Sequence, residues 1–176
     1  MLKVLRIFFV YTLAFYCMTI MIHALPQDTN QLGGGPIPRF ATIKSNRTNL
    51  RLGPGTMYGI SYVYIKQGIP VEIIQEYENW QKIRDFDGTT GWINKRLLSS
   101  KRTAIVSPWS KKTNNQIYIN LYQKPILQST VIAKIEPRVL LTISECSGKW
   151  CLGKHSDLEG WVMQNKIWGI YPGEVF

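Results

Sequence analysis

A duplicated tryptophan motif constrains the fold of this chain more than any other feature of its sequence. Trp80 opens an extended run that is followed, after a polar turn, by Gly91-Trp92 and a β-branched residue. Trp150 and Gly160-Trp161 repeat this order at offsets of 70 and 69 residues. A tryptophan followed about a dozen residues later by Gly-Trp fits a β-hairpin whose second strand re-enters the core at Gly-Trp. Each motif therefore predicts one hairpin of a small β-domain.

A third pair of matching positions extends the repeat beyond the hairpins. Asn49-Leu50 recurs as Asn120-Leu121 at an offset of 71 residues. Near-constant offsets at three separate places indicate two copies of one domain. The copies have diverged, because Gln123-Lys124-Pro125-Ile126 stands where the first copy has a Gly-Pro-Gly turn, and Gly153 stands where it has Ile83. We therefore expect the second copy to pack less apolar volume at Gly153.

Short strand-forming segments separated by turn residues predict an all-β protein made of two small barrels in tandem. Barrel closure is favoured because it leaves few unpaired strand edges. No long helical period is visible, and residues 95–98 are expected to form a single helical turn. The strands predicted for the first copy are 62–65, 71–77, 80–86, 91–94 and, as the closing strand, 102–106.

The first residues have the charged, apolar and small-residue order of a secretory signal peptide. Lys3 and Arg6 precede the apolar residues 7–22, and Ala24 offers a small residue for cleavage. The apolar run is short for a membrane span, which needs about 20 residues. Because Ile22 is bulky at the minus-three position, an uncleaved anchor stays open as an alternative.

Composition divides the chain into five parts. A tether is expected where Gly33-Gly34-Gly35-Pro36 blocks regular pairing, and a linker where Lys111-Lys112 lies among polar residues. The predicted parts are a signal peptide or anchor at 1–24, a flexible linker at 25–38, the first barrel at 39–106, a linker at 107–115 and the second barrel at 116–176.

The two cysteines beyond the signal segment predict a disulfide. Cys146 and Cys151 flank four residues that suit a hairpin turn, and exported proteins oxidise such pairs. A metal site needs about four ligands and a nucleophilic cysteine needs a base, yet His155 is the only histidine nearby. We therefore expect no metal, no cofactor and no catalytic cysteine.

The charge of the chain is compatible with anionic partners and equally with a soluble protein that has a basic surface. Its 176 residues carry a net charge of +10, which attracts nucleic acid, anionic lipid or acidic cell-wall polymer. The basic residues are spread along the chain, and export argues against nucleic acid. A membrane partner is expected only if the signal segment is retained. The acidic residues are scattered, and Asp85 and Asp87 are expected to form a polar turn rather than an active site.

Six segments resemble known proteins. Three of them match the bacterial SH3 domain (SH3b) pattern: Asn49-Leu50-Arg51-Leu52-Gly53-Pro54-Gly55, Asn79-Trp80 and Gly91-Trp92-Ile93. The other three resemble exported alphaproteobacterial proteins with two SH3-like domains: Arg39-Phe40-Ala41, residues 146–151 and Trp168-Gly169-Ile170-Tyr171-Pro172. The resemblance implies two SH3-like barrels, a periplasmic or envelope location and no catalysis, because bacterial SH3 domains commonly bind peptidoglycan or its peptides.

Recognition by a small barrel usually rests on exposed aromatic residues in a groove. Trp80 should lie on the face opposite Ile83, whereas Trp92 and Trp161 should lie mostly in the cores. We expect the groove on the first barrel, because the second lacks the Gly-Pro-Gly turn. The predicted ligand-binding residues are Arg51, Tyr58, Tyr62, Tyr64, Trp80 and Asp85.

These observations predict a non-catalytic binding module of the cell envelope that recognises peptidoglycan or a cell-wall peptide. The alternative is a protein-interaction scaffold in the periplasm. An accessory of a cell-wall hydrolase and a nucleic-acid binder are the remaining alternatives.

Overall fold

The computed structural model describes residues 35–110 and 117–176, which form two antiparallel sheets of seven strands each. The predicted all-β class, with two small SH3-like barrels in tandem, is confirmed. The predicted signal segment 1–24 and parts of both predicted linkers lie outside the described residues. Within the described ranges, no helix has the length and apolar character that a membrane crossing requires.

Both sheets consist of short strands. The first contains β1 (Arg39–Ile43), β2 (Thr48–Arg51), β3 (Ile60–Tyr64), β4 (Pro70–Tyr77), β5 (Trp80–Arg84), β6 (Thr90–Asn94) and β7 (Leu98–Ser99). The second contains β8 (Thr103–Val106), β9 (Ile119–Tyr122), β10 (Val131–Ile135), β11 (Leu140–Cys146), β12 (Trp150–His155), β13 (Leu158–Met163) and β14 (Ile167–Trp168). Single 3-10 turns at Lys95–Leu97 and Gln164–Lys166 precede β7 and β14, and the first confirms the predicted helical turn.

The internal repeat is confirmed strand by strand. The first sheet has the order β3-β2-β6-β5-β4-β1-β7, and the second has the matching order β10-β9-β13-β12-β11-β8-β14. Even the irregularities recur, because the register shifts after Ile73 in β4 and after Ile143 in β11. Such bulges bend a strand and increase its twist, which helps a short sheet to curve into a barrel.

The prediction that residues 102–106 close the first barrel is wrong. Strand β8 pairs with β11 and β14, so it is the first strand of the second sheet. The edge of β1 is instead paired with β7, a strand of only two residues. A strand as short as β7 shows no periodic pattern in the sequence. Thr103–Val106 has the composition of a strand, but that composition does not indicate which strand it pairs with.

Buried and exposed side chains alternate along the strands, and the buried ones form the core of each barrel. In β5, Gln81 and Ile83 are buried while Trp80 and Arg84 lie on the outer face, as the spacing of Trp80 and Ile83 predicts. The buried residues of the first core are Ala41, Ile43, Leu50, Tyr64, Val71, Ile73, Ile83 and Ile93. In the second barrel the core also contains Cys146 and Cys151.

Gly153 does not leave the second core underpacked, contrary to the expectation from its alignment with Ile83. Gly153 pairs with Ile143 just as Ile83 pairs with Ile73. A Cβ atom at Gly153 would lie 2.9 Å from Cδ1 of Leu141 and 3.4 Å from Cδ1 of Ile143. The larger Leu141, which stands where the first barrel has Val71, therefore fills the space.

Gly169 allows the two barrels to approach closely. Its φ angle of 119° is one that side-chain-bearing residues rarely adopt. A Cβ atom there would lie 2.4 Å from the carbonyl oxygen of Thr103 and 3.0 Å from Cβ of Pro70 in the first barrel. Glycine at this position brings the C-terminal segment, residues 169–176, against both barrels.

Candidate functional site

Arg51 supports the turn that follows β2. Its Nη1 group donates hydrogen bonds to the carbonyl oxygens of Thr56, at 2.9 Å, and Tyr58, at 2.7 Å. The guanidinium group therefore holds the Gly-Pro-Gly turn in place. The structure gives Arg51 a role in shaping the predicted groove.

Tyr64 and Asp85 lie inside the first barrel and are only 4% and 7% exposed. The Tyr64 hydroxyl donates to Oδ2 of Asp85 at 2.8 Å, and the Thr89 amide donates to Oδ1 at 2.9 Å. Burial raises the pKa of Asp85 to about 6, and burial together with Asp85 raises the pKa of Tyr64. The prediction that Tyr64 and Asp85 contact a ligand is therefore corrected. The two side chains bind each other beneath the surface, where they fix the β5–β6 turn.

The remaining predicted aromatic residues are accessible. Tyr58 and Tyr62 are 44% and 53% exposed, and Trp80 is partly exposed on the outer face of β5. Trp92 is buried as predicted, whereas Trp161 is only partly buried. Three of the predicted ligand-binding aromatic residues thus lie at the surface of the first barrel.

A large cavity of about 840 Å³ lies on the second barrel, where that barrel meets the first and the C-terminal segment. We call it the Trp150 cavity. Its volume falls within the range of ligand-binding sites. None of the six predicted residues is among the described residues that line it. Its walls come from residues 125–128, 148–150, 163–165 and 170–173, with Trp109, Ile167 and Trp168, and from Phe40, Glu72 and Arg84 of the first barrel.

Aromatic rings form much of this cavity. Trp150 packs edge-on against Tyr122, with 5.3 Å between ring centroids. Phe40 packs edge-on against Trp168 at 5.0 Å and tilted against Tyr171 at 4.6 Å. The two contacts of Phe40 join the first barrel to β14 and to the C-terminal segment, and together the rings give the cavity rigid apolar walls.

Glu72 is the one acidic residue among the described residues that line the cavity, and its charge is already satisfied. Glu72 is 5% exposed, and its Oε2 accepts two hydrogen bonds from Arg84, at 2.9 and 2.5 Å. Its Oε1 accepts the Tyr171 hydroxyl at 2.9 Å. Burial and Glu72 raise the pKa of Tyr171, so the phenol keeps the proton that it donates. With Lys149 also on the lining, the cavity is apolar with a basic rim.

The predicted disulfide is present and supports the C-terminal wall. Cys146 and Cys151 are bonded and face each other across the β11–β12 hairpin. The backbone of Cys146 exchanges hydrogen bonds of 2.9 and 3.1 Å with Phe176. Nearby, Nε2 of Gln164 donates to the carbonyl of Glu174 at 2.7 Å. The hairpin tip and the end of the chain are therefore fixed to each other beside the cavity.

The described residues that line the Trp150 cavity are mainly apolar. The described residues that line the Trp150 cavity include no cysteine, histidine or serine, and Glu72 is neutralised by its neighbours. Across the described part of the chain, no three His, Cys, Asp or Glu side chains are placed to hold a metal ion. Apolar walls with a few placed polar groups are typical of sites that hold a ligand.

Sequence reasoning missed most of this site. Trp150 stands out as the counterpart of Trp80, but its motif carries no sign that it lines a cavity. Trp168 and Tyr171 belong to a segment that supports the family resemblance, but the resemblance assigns no role to these residues. The remaining signal is the concentration of aromatic residues near the end of the chain, which also includes Phe176.

A family model and one curated relative match this chain. The family model described as bacterial SH3 domain matches residues 44–100 and 116–169. The chain is similar to YrvJ of Bacillus subtilis (strain 168), named provisionally as an N-acetylmuramoyl-L-alanine amidase. The two are 25% identical over 130 residues, covering 72% of this chain but only 25% of YrvJ.

Two solved structures are also similar to the chain. They are NlpC1 and NlpC2 from Trichomonas vaginalis, each 11% identical, with TM-scores of 0.33 and 0.32. The matches cover 76% and 77% of this chain, and 46% and 49% of those proteins. The chain thus spans a quarter to about half of the proteins that it matches.

Proposed function

Because the chain belongs to the bacterial SH3 domain family, we propose that it is a non-catalytic binding protein of the cell envelope. Its ligand is peptidoglycan or a cell-wall peptide, and the Trp150 cavity is the main binding site. The observation that carries this proposal is the size and lining of that cavity, which joins rigid aromatic walls to a basic rim.

Three further observations support the proposal. The relative YrvJ is named for an enzyme class that acts on the cell wall, and the chain matches about a quarter of it. The disulfide fits an oxidising compartment outside the cytoplasm. The net charge of +10 favours acidic polymers of the envelope. Export through residues 1–24 is part of the same proposal.

The cavity matches the chemistry of a peptide-bearing polymer. Aliphatic parts of the ligand would pack on Trp150 and Trp168, while its carboxylates would meet Arg84 and Lys149 at the rim. Tyr58, Tyr62 and Trp80 on the first barrel stay candidates for an additional contact.

A pull-down on purified peptidoglycan sacculi across a salt series tests this proposal. Trp109 lines the cavity and is 57% exposed, so Trp109→Ala should leave the fold intact. Because aromatic residues dominate binding energies, we expect retention to fall about tenfold at high salt. Ile65→Ala, which removes an exposed apolar side chain outside the cavity, is the matched control and should bind as the wild type does.

The comparison with Trp80→Ala separates the two barrels. Loss of retention in Trp80→Ala but not in Trp109→Ala would move the site to the predicted first-barrel groove. Retention that disappears with salt in every variant would mean charge attraction alone. Absence of retention at any salt would refute wall binding and favour a protein partner in the envelope.

A further inference from the structure

A second cavity lies at the junction of the barrels, and none of the described residues that line it also lines the Trp150 cavity. It measures about 340 Å³, which is at the lower end of the range for ligand sites. Its walls are the end of β1, the β3–β4 turn and the β7–β8 connection from the first barrel, and the starts of β8 and β11 from the second. We call it the hydroxyl cleft.

Four hydroxyl-bearing residues form a continuous row in this cleft. Ser99 pairs with Thr42 between β7 and β1, and Thr103 pairs with Thr142 between β8 and β11. Directly paired residues of antiparallel strands point to the same face. The two pairs meet where the Thr42 and Thr103 hydroxyl oxygens lie 2.7 Å apart. The row therefore runs from one barrel into the other.

The hydrogen bonds show which hydroxyls can serve a ligand. Thr42 Oγ1 donates to the carbonyl oxygen of Lys101 at 2.5 Å, so Thr103 is the donor in its contact with Thr42. Both central protons are thus used within the protein. Ser99 Oγ accepts the Lys101 amide at 3.1 Å, which leaves its own proton to donate. Ser99 and Thr142 stand at the two ends of the row.

The charged side chains among the described residues of the cleft are all positive. Lys44 and Lys101 are the ionisable side chains among the described residues that line it, and both are exposed. The described residues that line the cleft include no carboxylate that would neutralise them. Gln67 adds an amide that can donate hydrogen bonds. Donors and positive charge therefore face one space that is large enough for a small anion.

We propose that the hydroxyl cleft binds an oxyanion of the phosphate type, either free phosphate or the phosphate group of an ester. Two lysines favour a dianion over a singly charged carboxylate, because a dianion gains from both attractions. The hydroxyls of Ser99 and Thr142 and the amide of Gln67 supply neutral donors for its oxygen atoms. The site depends on both barrels, since Thr142 belongs to the second and Lys44 to the first.

Titration of the ¹⁵N-labelled full chain with inorganic phosphate, followed by amide chemical shifts, tests this site. We expect saturable shifts at Ser99, Lys101 and Thr103, and much weaker shifts with acetate at matched ionic strength. Lys44→Gln and Lys101→Gln should each weaken binding about tenfold, as loss of one charge-assisted contact requires. Lys95→Gln, at an exposed position outside both cavities, is the control and should not change the affinity.

A further variant tests the hydroxyl groups without changing the charge of the cleft. Thr142→Val keeps the shape of the side chain and removes the hydroxyl, and it should weaken phosphate binding several-fold without changing the melting temperature. Glycerol phosphate distinguishes the two sources, because tighter binding than inorganic phosphate would identify an ester as the ligand. Equal shifts with acetate, or unchanged affinity in both lysine variants, would refute the site.

Discussion

Tyr171 joins the C-terminal segment to the first barrel through a single hydrogen bond, and Tyr171→Phe removes that bond alone. The hydroxyl donates to Oε1 of Glu72 at 2.9 Å, across 99 residues of sequence. The ring contact with Phe40, at 4.6 Å between centroids, should persist because phenylalanine keeps the ring. The variant therefore measures the hydrogen bond and not the packing.

The expected cost follows from the burial of the acceptor. A hydrogen bond to a charged group contributes about 1.5–3 kcal/mol, and an unsatisfied buried acceptor adds a desolvation penalty. Glu72 is 5% exposed, but its other oxygen keeps both hydrogen bonds from Arg84. We therefore expect the lower part of that range, about 1.5–2 kcal/mol. For a domain of this size, that cost lowers the melting temperature by about 5 °C.

Urea unfolding of the wild type, Tyr171→Phe, Glu72→Gln and the double variant measures this cost as a double-mutant cycle. The coupling energy between the two residues should exceed about 1 kcal/mol. Tyr58→Phe, at an exposed tyrosine, is the control and should cost almost nothing. Because the pKa of Tyr171 is raised, its contribution is complete below about pH 10 and is lost as the pH rises through the folded-state value. A cost below about 0.5 kcal/mol, or an additive cycle, would refute the reasoning.

Two further predictions concern the pH response of the first barrel and the junction. Burial raises the pKa of Asp85 to about 6, above the value of about 3.9 in an unfolded chain, so the folded state binds its proton more tightly. The wild type should therefore lose stability relative to Asp85→Asn as the pH rises from about 4 to 6, and Tyr64→Phe should raise this pKa further in an NMR titration. Gly169→Ala should cost more than about 2 kcal/mol in thermal unfolding, because its Cβ would lie 2.4 Å from the carbonyl oxygen of Thr103 at an unfavourable φ angle. Wild-type stability of that variant would contradict the close approach of the barrels.

Local patterns account for what could be predicted. The duplicated tryptophan motif led to two barrels because nearly equal spacing, 12 and 11 residues between the paired tryptophans, produces corresponding hairpins, and the strand orders match throughout. Alternation along β5 correctly placed Ile83 inside and Trp80 outside, since successive side chains point to opposite faces. The short separation of Cys146 and Cys151 brought them together within one hairpin.

The predicted groove shows where local reasoning fails. Tyr64 and Asp85 are polar residues whose sequence context resembles that of surface residues, yet they satisfy each other inside the barrel. A buried pair of this kind joins a strand, β3, to the β5–β6 turn 21 residues further along the chain, so neither residue alone reveals it. Arg51 likewise finds its partners in a turn whose conformation only the folded chain defines.

Short-range patterns and their recurrence along the chain were enough to predict the all-β class, the repeat, the paired cysteines and the alternation of buried and exposed residues. The place of β8 in the second sheet, the position of Trp150 on a cavity and the contact of Thr42 with Thr103 depend instead on the packing of the folded chain. At the junction of the barrels, Thr42 and Thr103 are 61 positions apart, and Tyr171 and Glu72 are 99 positions apart. No local periodicity encodes such pairings, because they arise only when two completed barrels pack against each other.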